Sequence, residues 1–228
     1  MRRSGCAVFG TRPRGVPATI AVAVMILLCA PPAHGQTSVG VLLGLSSSSL
    51  GGDAPDLGTF TTKGGIVAGL SGELHIGDGL WLIAQPQYVG RGTGVAFAVR
   101  GEEEPRDSLA LSLDYVSVPV GLKVVTRNGN FYVSSVLDLG FLTGATLSNG
   151  SADADVSTAV KDIDLAVGLG IGTGFSLGSP YMTVELRYVQ SIMNLPEEDV
   201  SIEDDGFPKR FRASGLQIVV GLHLGGGR

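Results

Sequence analysis

Apolar and polar residues alternate with a period of two along most of the chain after Gln36. The clearest run extends from Asp162 to Leu177, where Ile, Leu, Val and Phe dominate one set of alternate positions and Gly, Asp and Ala the other. Successive side chains of a β-strand point to opposite faces, so the run predicts a strand with one apolar face. A helix would lose about 1 kcal/mol at each glycine relative to alanine, which argues against the helical alternative.

Similar alternation recurs about eight times and predicts eight strands. The fourth strand changes phase near Asp114, which predicts a β-bulge or the end of a membrane segment. Gln85 and Gln87 are expected on the inner face of the third strand. The predicted strands cover residues 39–45, 65–76, 80–88, 109–125, 131–145, 162–177, 181–190 and 212–224.

The predicted connections alternate between short and long. Tight turns at 77–79, 126–130 and 178–180 contain Gly, Asn, Asp or Pro, and long polar segments lie at 47–63, 91–108, 146–160 and 191–211. Short turns at one end and long loops at the other are typical of outer-membrane barrels, whose long loops lie outside the cell. The sequence therefore predicts an all-β fold, an eight-stranded antiparallel up-and-down transmembrane β-barrel.

Aromatic residues gather near both ends of the predicted strands and predict two interfacial girdles. A soluble sandwich could also place aromatics at strand ends, and it stays as an alternative. The short-turn set is Trp81, Phe131, Tyr132, Phe175 and Tyr181, and the long-loop set is Tyr88, Tyr115, Phe141, Tyr188 and Phe211.

Residues 1–35 have the organisation of a removable signal peptide, leaving 36–228 as the barrel domain. Basic residues precede an apolar stretch at 18–30, which is too short to span a bilayer as a helix, and Ala33 and Gly35 fit a cleavage site before Gln36. Both cysteines, Cys6 and Cys29, would leave with this segment. The exported domain would then contain no disulfide.

Charge argues against nucleic acid as a partner. Four basic residues leave with the signal peptide, so the 16 Lys and Arg become 12 against 21 Asp and Glu, a net charge of −9. The 35 glycines and the positive mean hydropathy of +0.31 are unusual for a soluble protein. After residue 35 no apolar stretch is long enough for a helical span, so a closed barrel is the remaining way to cross a membrane.

Five segments, spread over nearly all of residues 36–228, carry a family resemblance. The first three are residues 64–70, 83–88 and 113–123. Together with Glu185-Leu186-Arg187-Tyr188 and the closing strand 217–224, they resemble the small outer-membrane β-barrel domain family, which includes PorT-type and OmpX- and OmpA-like eight-stranded barrels. The resemblance implies outer-membrane lipids, lipopolysaccharide and the membrane insertion machinery as partners in a Gram-negative cell. It implies no catalytic residue and no cofactor.

The principal candidate site is a set of charged side chains that are expected to point into the barrel lumen. Glu185 and Arg187 share a face of the seventh strand and are expected opposite Gly172 and Gly170, where missing side chains leave room. A lumen polar network is therefore predicted, and charges that fill a narrow barrel are preferred over an ion or proton path because eight strands leave little interior space. Its predicted members are Glu73, His75, Lys123, Asp138, Glu185 and Arg187.

Two alternatives for function remain open. A soluble lipocalin-like barrel would bind an apolar ligand inside, but it would need a polar outer face. A small lipid-modifying enzyme could use Ser71, Glu73, His75 and His223 as a hydrolytic set, although both histidines are expected near the short-turn end, away from the outer leaflet.

Acidic groups in the predicted long loops are expected to be solvated surface charge. A sharper hypothesis gives them calcium or magnesium that bridges lipopolysaccharide phosphates. These groups are residues 102–104, Asp153 with Asp155, 197–199 and 203–205. A non-enzymatic barrel with a role in adhesion, envelope structure or assembly is the leading expectation for function.

Overall fold

The computed structural model describes residues 37–52, 58–97, 107–149, 152–176, 178, 180–194 and 211–225. The predicted signal peptide, 1–35, lies outside them. No helix in this part of the chain has the length and apolar character to cross a membrane. The strands are β1 Thr37–Gly52, β2 Gly58–Gly77, β3 Leu80–Ala84, β4 Gln87–Phe97, β5 Asp107–Val125, β6 Phe131–Ser148, β7 Asp153–Asp155, β8 Ile163–Ser176, β9 Tyr181–Ser191 and β10 Phe211–Gly225, with a 3₁₀ helix at Ser157–Ala159.

The antiparallel sheet closes on itself because β1 pairs with β10 along its length, from Ser38 opposite Gly225 to Gly52 opposite Phe211. β3 and β4 share one place in the ring, since each pairs with both β2 and β5. The short β7 pairs with the end of β6. The ring therefore has eight strand positions, as the sequence predicts, and a closed ring leaves no edge strand.

The interruption between β3 and β4 lies at Gln85 and Pro86. Proline has no N–H to donate to a sheet ladder, but its carbonyl accepts from the Leu70 N–H at 2.9 Å. The Gln85 N–H donates to the Pro119 carbonyl at 2.9 Å, so the strand position stays bonded on both sides. β4 then continues to Phe97, into a segment that the sequence pattern assigned to a long connection.

The outer surface is apolar, as predicted for β1, β2, β8 and β10. Leu43 and Leu45 are each 65% exposed, and Leu169 and Ile171 are 61% and 62% exposed. The intervening residues of these strands face inward and are mostly small, polar or charged, with the apolar exceptions Leu42, Val67 and Val219. A barrel with an apolar exterior is the reverse of a soluble lipocalin-like barrel.

The phase change predicted within the fourth strand is wrong. Odd-numbered residues of β5 face inward all the way from Leu111 to Lys123. The irregularity predicted near Asp114 is present as a register shift between Asp114 and Tyr115, but its extra residue, Thr143, lies on β6. The apparent phase change arises because the inward residues of β5 are apolar around Leu111 and polar further along the strand. Polarity changes along the strand, while the direction of the side chains does not.

The predicted aromatic girdles are correct only in part. Phe131 and Phe175 face outward near the short turns, Tyr188 faces outward near the long connection after β9, and Tyr88 faces outward in the middle of the sheet. Tyr115 and Tyr132 instead point into the barrel and are almost fully buried. Trp81 and Tyr181 also lie on inward-facing positions. These aromatic rings fill the lumen, and the side chain of Phe211 lies outside the described part.

Candidate functional site: a filled, ion-paired lumen

A cation surrounded by aromatic rings occupies the short-turn end of the lumen. The ammonium of Lys123 forms an ion pair with Glu73. It also lies 5.6 Å from the centroid of the Trp81 ring and 5.1 Å from that of Tyr132. Trp81 and Lys123 are direct partners in the β3–β5 register, so the sheet itself sets this contact. Cation–π attraction and the ion pair therefore hold Lys123 inside the barrel.

The two histidines extend this end of the lumen. His223 Nδ1 is 3.8 Å from Glu73 Oε1, and its Nε2 is 3.2 Å from the Thr183 hydroxyl. The ring of His75 lies 4.9 Å from that of Trp81. The hydroxyl of Ser71 is buried and has no hydrogen-bond partner among the described residues. The serine–histidine contact that a hydrolytic set requires is therefore missing.

A second ion pair lies on β9, and its arginine reaches across the lumen. Glu185 and Arg187 lie opposite Gly172 and Gly170 in the register with β8. Arg187 Nε donates to Glu185 Oε1 at 2.7 Å, and the guanidinium also donates to Gln85 Oε1 at 2.6 Å. A Cβ at Gly170 would overlap Glu185 Oε1, so glycine at this position makes room for the carboxylate.

Besides its partner Asp164, Arg91 is the member that sequence reasoning missed. Its guanidinium donates to Asp164 Oδ2 at 2.6 Å and to Asp138 Oδ2 at 2.8 Å. The Ser191 hydroxyl bonds the other oxygen of Asp164. Arg91 thereby joins β4 to β6 and β8 across the lumen, and it lies 5.4 Å from the ring centroid of Tyr115. The sequence offered a signal, because inward Gln85 and Gln87 place Arg91 on the same face.

The interior beyond Arg91, toward the long connections, is apolar. Val156 and Val160 come from the segment between β6 and β8 and pack against this core. The Val156 N–H donates to the Ala145 carbonyl at 3.0 Å, and the Ala145 N–H donates to the Ser157 hydroxyl at 3.1 Å. These contacts hold the segment against the buried apolar residues of the barrel, which include Leu42, Val67, Val89, Leu111, Leu113 and Ala145.

Hydrogen bonds from β1 directly to β4 narrow the same half of the barrel. The hydroxyl of Ser46 donates to the Gly90 carbonyl at 2.6 Å. The hydroxyl of Ser48 donates to the Gly92 carbonyl at 3.0 Å and accepts from the Gly92 N–H at 2.7 Å. β2 lies between these strands in the sheet, but its register with β4 shifts between Thr62 and Val67. This irregularity brings the two strands together.

The members of the lumen network are thus Arg91, Lys123 and Arg187 with Glu73, Asp138, Asp164 and Glu185, each cation in contact with at least one carboxylate. Of the predicted set, His75 contacts Trp81 and none of the described ion pairs includes it. A cavity of about 10 Å³ remains beside Arg91, enough for about one water molecule.

Among the described residues, no three His, Cys, Asp or Glu side chains are placed to hold a metal ion. Asp155 Oδ1 accepts from the backbone N–H and the hydroxyl of Ser157, at 2.9 and 2.6 Å. This carboxylate thus organises its own turn. The other predicted acidic groups, 102–104, 197–199 and 203–205, lie outside the described residues.

Several solved structures are similar to this chain. One is the attachment invasion locus protein Ail of Yersinia pestis, in complex with the heparin analogue sucrose octasulfate, at 13% identity over 83% of this chain and 99% of Ail, with a TM-score of 0.47. Neisserial surface protein A matches at 14% identity, over 82% and 96% of the chains, with a TM-score of 0.43. OprG of Pseudomonas aeruginosa matches at 9% identity, over 84% and 95%, with a TM-score of 0.41.

A search of the curated proteins finds no match. The family described as "Outer membrane protein beta-barrel domain" matches residues 32–197, which is well over half of the chain. That range takes in every strand from β1 to β9, and β10 completes the ring by pairing with both β1 and β9. The apolar exterior is what a membrane location requires of such a ring. The chain therefore belongs to the outer membrane protein beta-barrel domain family.

Proposed function

We propose that this outer-membrane barrel is a closed anchor that presents its long connections at the cell surface. The single observation that carries the proposal is the lumen, where ion pairs, aromatic rings and an apolar core occupy the space that a channel would need. We expect the described part of the lumen, filled in this way, to leave water, ions and solutes no continuous path. The chemistry available to a partner lies in the connections, which supports a role in adhesion, envelope structure or assembly.

Opening the barrel would carry a large free-energy cost. Arg91 bonds two buried carboxylates, and separating a buried cation from its partners costs several kcal/mol. The ion pairs of Arg91 and Arg187 with Asp138, Asp164 and Glu185 form a charged layer in the lumen. A solute passing this charged layer would also have to displace Arg187 from Glu185 and Gln85. A static closed state is therefore the state that this lumen favours.

A lipid-modifying enzyme is a weaker proposal because Ser71 makes no hydrogen bond to either histidine. We expect lipid A from cells that express His75→Ala or His223→Ala to have the same mass spectrum as lipid A from cells with the parent chain. A modification that the parent chain produces and both variants lose would overturn the non-enzymatic proposal.

Partners of the anchor follow from its location. Outer-membrane lipids contact the apolar exterior, lipopolysaccharide surrounds the outer half, and the insertion machinery delivers the chain. Divalent cations at the acidic connections remain a separate hypothesis. It predicts that calcium protects those connections from protease on intact cells, and unchanged cleavage would contradict it.

The direct test of the anchor proposal is the display of two epitope insertions. One epitope is placed between β9 and β10, within residues 195–210, and its matched control is placed at Arg127 in the turn between β5 and β6. An antibody is expected to label intact cells that carry the first insertion. The control should be labelled only after the outer membrane is permeabilised. Labelling of the control on intact cells would reverse the orientation, and no labelling of the first insertion would contradict surface display.

A further inference from the structure

A small cavity lies beside the charged layer, where β1, β4, β9 and β10 come together. Its inward-facing lining includes Ser46, Arg91, Val189, Ala213 and Gln217. The volume of about 10 Å³ corresponds to about one water-sized sphere. An organic ligand is too large for this space, so its occupant is a single small species.

Gln217 supplies the second, independent observation. Its side chain is only 3% exposed, and its Oε1 has no hydrogen-bond partner among the described residues. The register places it between Arg187 of β9 and Ser46 of β1, on the inward face. A buried acceptor without a donor costs about 1–3 kcal/mol. The occupant of the cavity must therefore be able to donate a hydrogen bond.

The charges around the cavity select a neutral occupant. Arg91 lines it, and Arg187 is the cross-strand neighbour of Gln217. Both cations are already paired with carboxylates, so a further buried ion would have no counter-charge and would carry a large desolvation cost. An anion is also disfavoured, because it has no hydrogen to donate to the carbonyl oxygen of Gln217. Water both donates and accepts, and a buried water typically has two to four polar partners.

We infer that one structural water occupies this cavity, accepts a hydrogen bond from Arg91 and donates one to Gln217. The water links β10 to the Arg91 ion pairs on β4, β6 and β8, and so completes a polar belt around the lumen. The inference deepens the proposed closed anchor and rests on it, because the site exists only in a filled barrel.

The chain offers a matched control for the test. Gln87 is also 3% exposed and also has an unpartnered Oε1, but it does not line the cavity. Gln217→Met and Gln87→Met therefore remove the same group at equal burial. Gel mobility with and without boiling establishes that each variant has folded before it is crystallised.

Crystal structures of the parent chain and both variants decide the matter, at a resolution that shows ordered water. The expected result is a peak within hydrogen-bond distance of Gln217 Oε1 and the Arg91 guanidinium in the parent chain and in Gln87→Met, and its loss in Gln217→Met. No peak in the parent chain, or a peak that acquires anomalous signal after a rubidium or bromide soak, would overturn the inference. Neither outcome would alter epitope display, so failure of the water site stays distinct from failure of the anchor proposal.

Discussion

Replacing Arg91 by methionine tests whether the charged layer stabilises the folded barrel. Methionine has similar length and is apolar, so Asp138 and Asp164 would stay buried without the cation that now lies 2.8 and 2.6 Å from them. Removing one partner of a buried ion pair costs about 3–5 kcal/mol, because the remaining charge is left uncompensated. Arg91 serves two carboxylates, so we expect a loss of free energy of unfolding in the upper part of that range.

The assay is denaturant unfolding of the refolded barrel in lipid vesicles, followed by tryptophan fluorescence. Trp81 is the single tryptophan of the chain and lies on the lumen side, so unfolding transfers it to water. The matched control is Arg212→Met, since Arg212 is exposed on β10. A surface substitution of this kind changes stability by about 0.5 kcal/mol or less.

A charge-removed variant separates electrostatics from packing. Combining Arg91→Met with Asp138→Asn and Asp164→Asn removes the uncompensated charges, and we expect it to recover part of the stability that Arg91→Met loses. A loss below about 1 kcal/mol for Arg91→Met would refute the stabilising role of the layer. Equal losses for the single and triple variants would show that packing, and not charge, is responsible.

Two further substitutions test the other parts of the lumen. Gly65→Val would drive a side chain into the backbone of β4, so this variant should lose the mobility shift on boiling. Its control is Gly64→Val, whose Cβ would meet nothing nearer than 4.0 Å and which should keep the shift. Gly65 lies on β2 beneath the contact of Ser46 on β1 with Gly90 on β4, so folding of both variants would contradict that close approach. Lys123→Met should shift the emission of Trp81 and cost about 3 kcal/mol or more, because it removes the ammonium from the ring and from its carboxylate. Lys161→Met, between strands, should leave both unchanged, and identical spectra for the two variants would refute the contact.

The outward faces were predictable because lipid imposes a simple rule on them. An apolar residue at every second position is sufficient to identify the exterior, as Leu43, Leu45 and Ile171 illustrate. The register of Glu185 and Arg187 with two glycines was predictable for a related reason. A hairpin that pairs symmetrically about a tight turn has only one register, and large side chains then require small ones opposite.

The interior was less predictable because no single rule governs it. Tyr132, Leu113 and Arg187 are all buried in the lumen, so inward residues are aromatic, aliphatic or charged. Their polarity can therefore change along one strand. That variation produced the false phase change in β5. Arg91 was missed because glycines on both sides make its segment read as a connection, although β4 continues through it. Contacts between distant strands, such as Arg91 with Asp164, depend on the closure of the barrel and leave no local signal.

Conductance across a planar lipid bilayer tests the closed lumen most directly. The folded barrel is inserted at neutral pH and compared with Arg91→Met and with a bilayer that contains no protein. A filled lumen predicts no steady ionic current above the protein-free bilayer for the parent chain. A stable open channel in the parent chain, with reproducible conductance steps, would contradict a lumen sealed by ion pairs and side-chain packing.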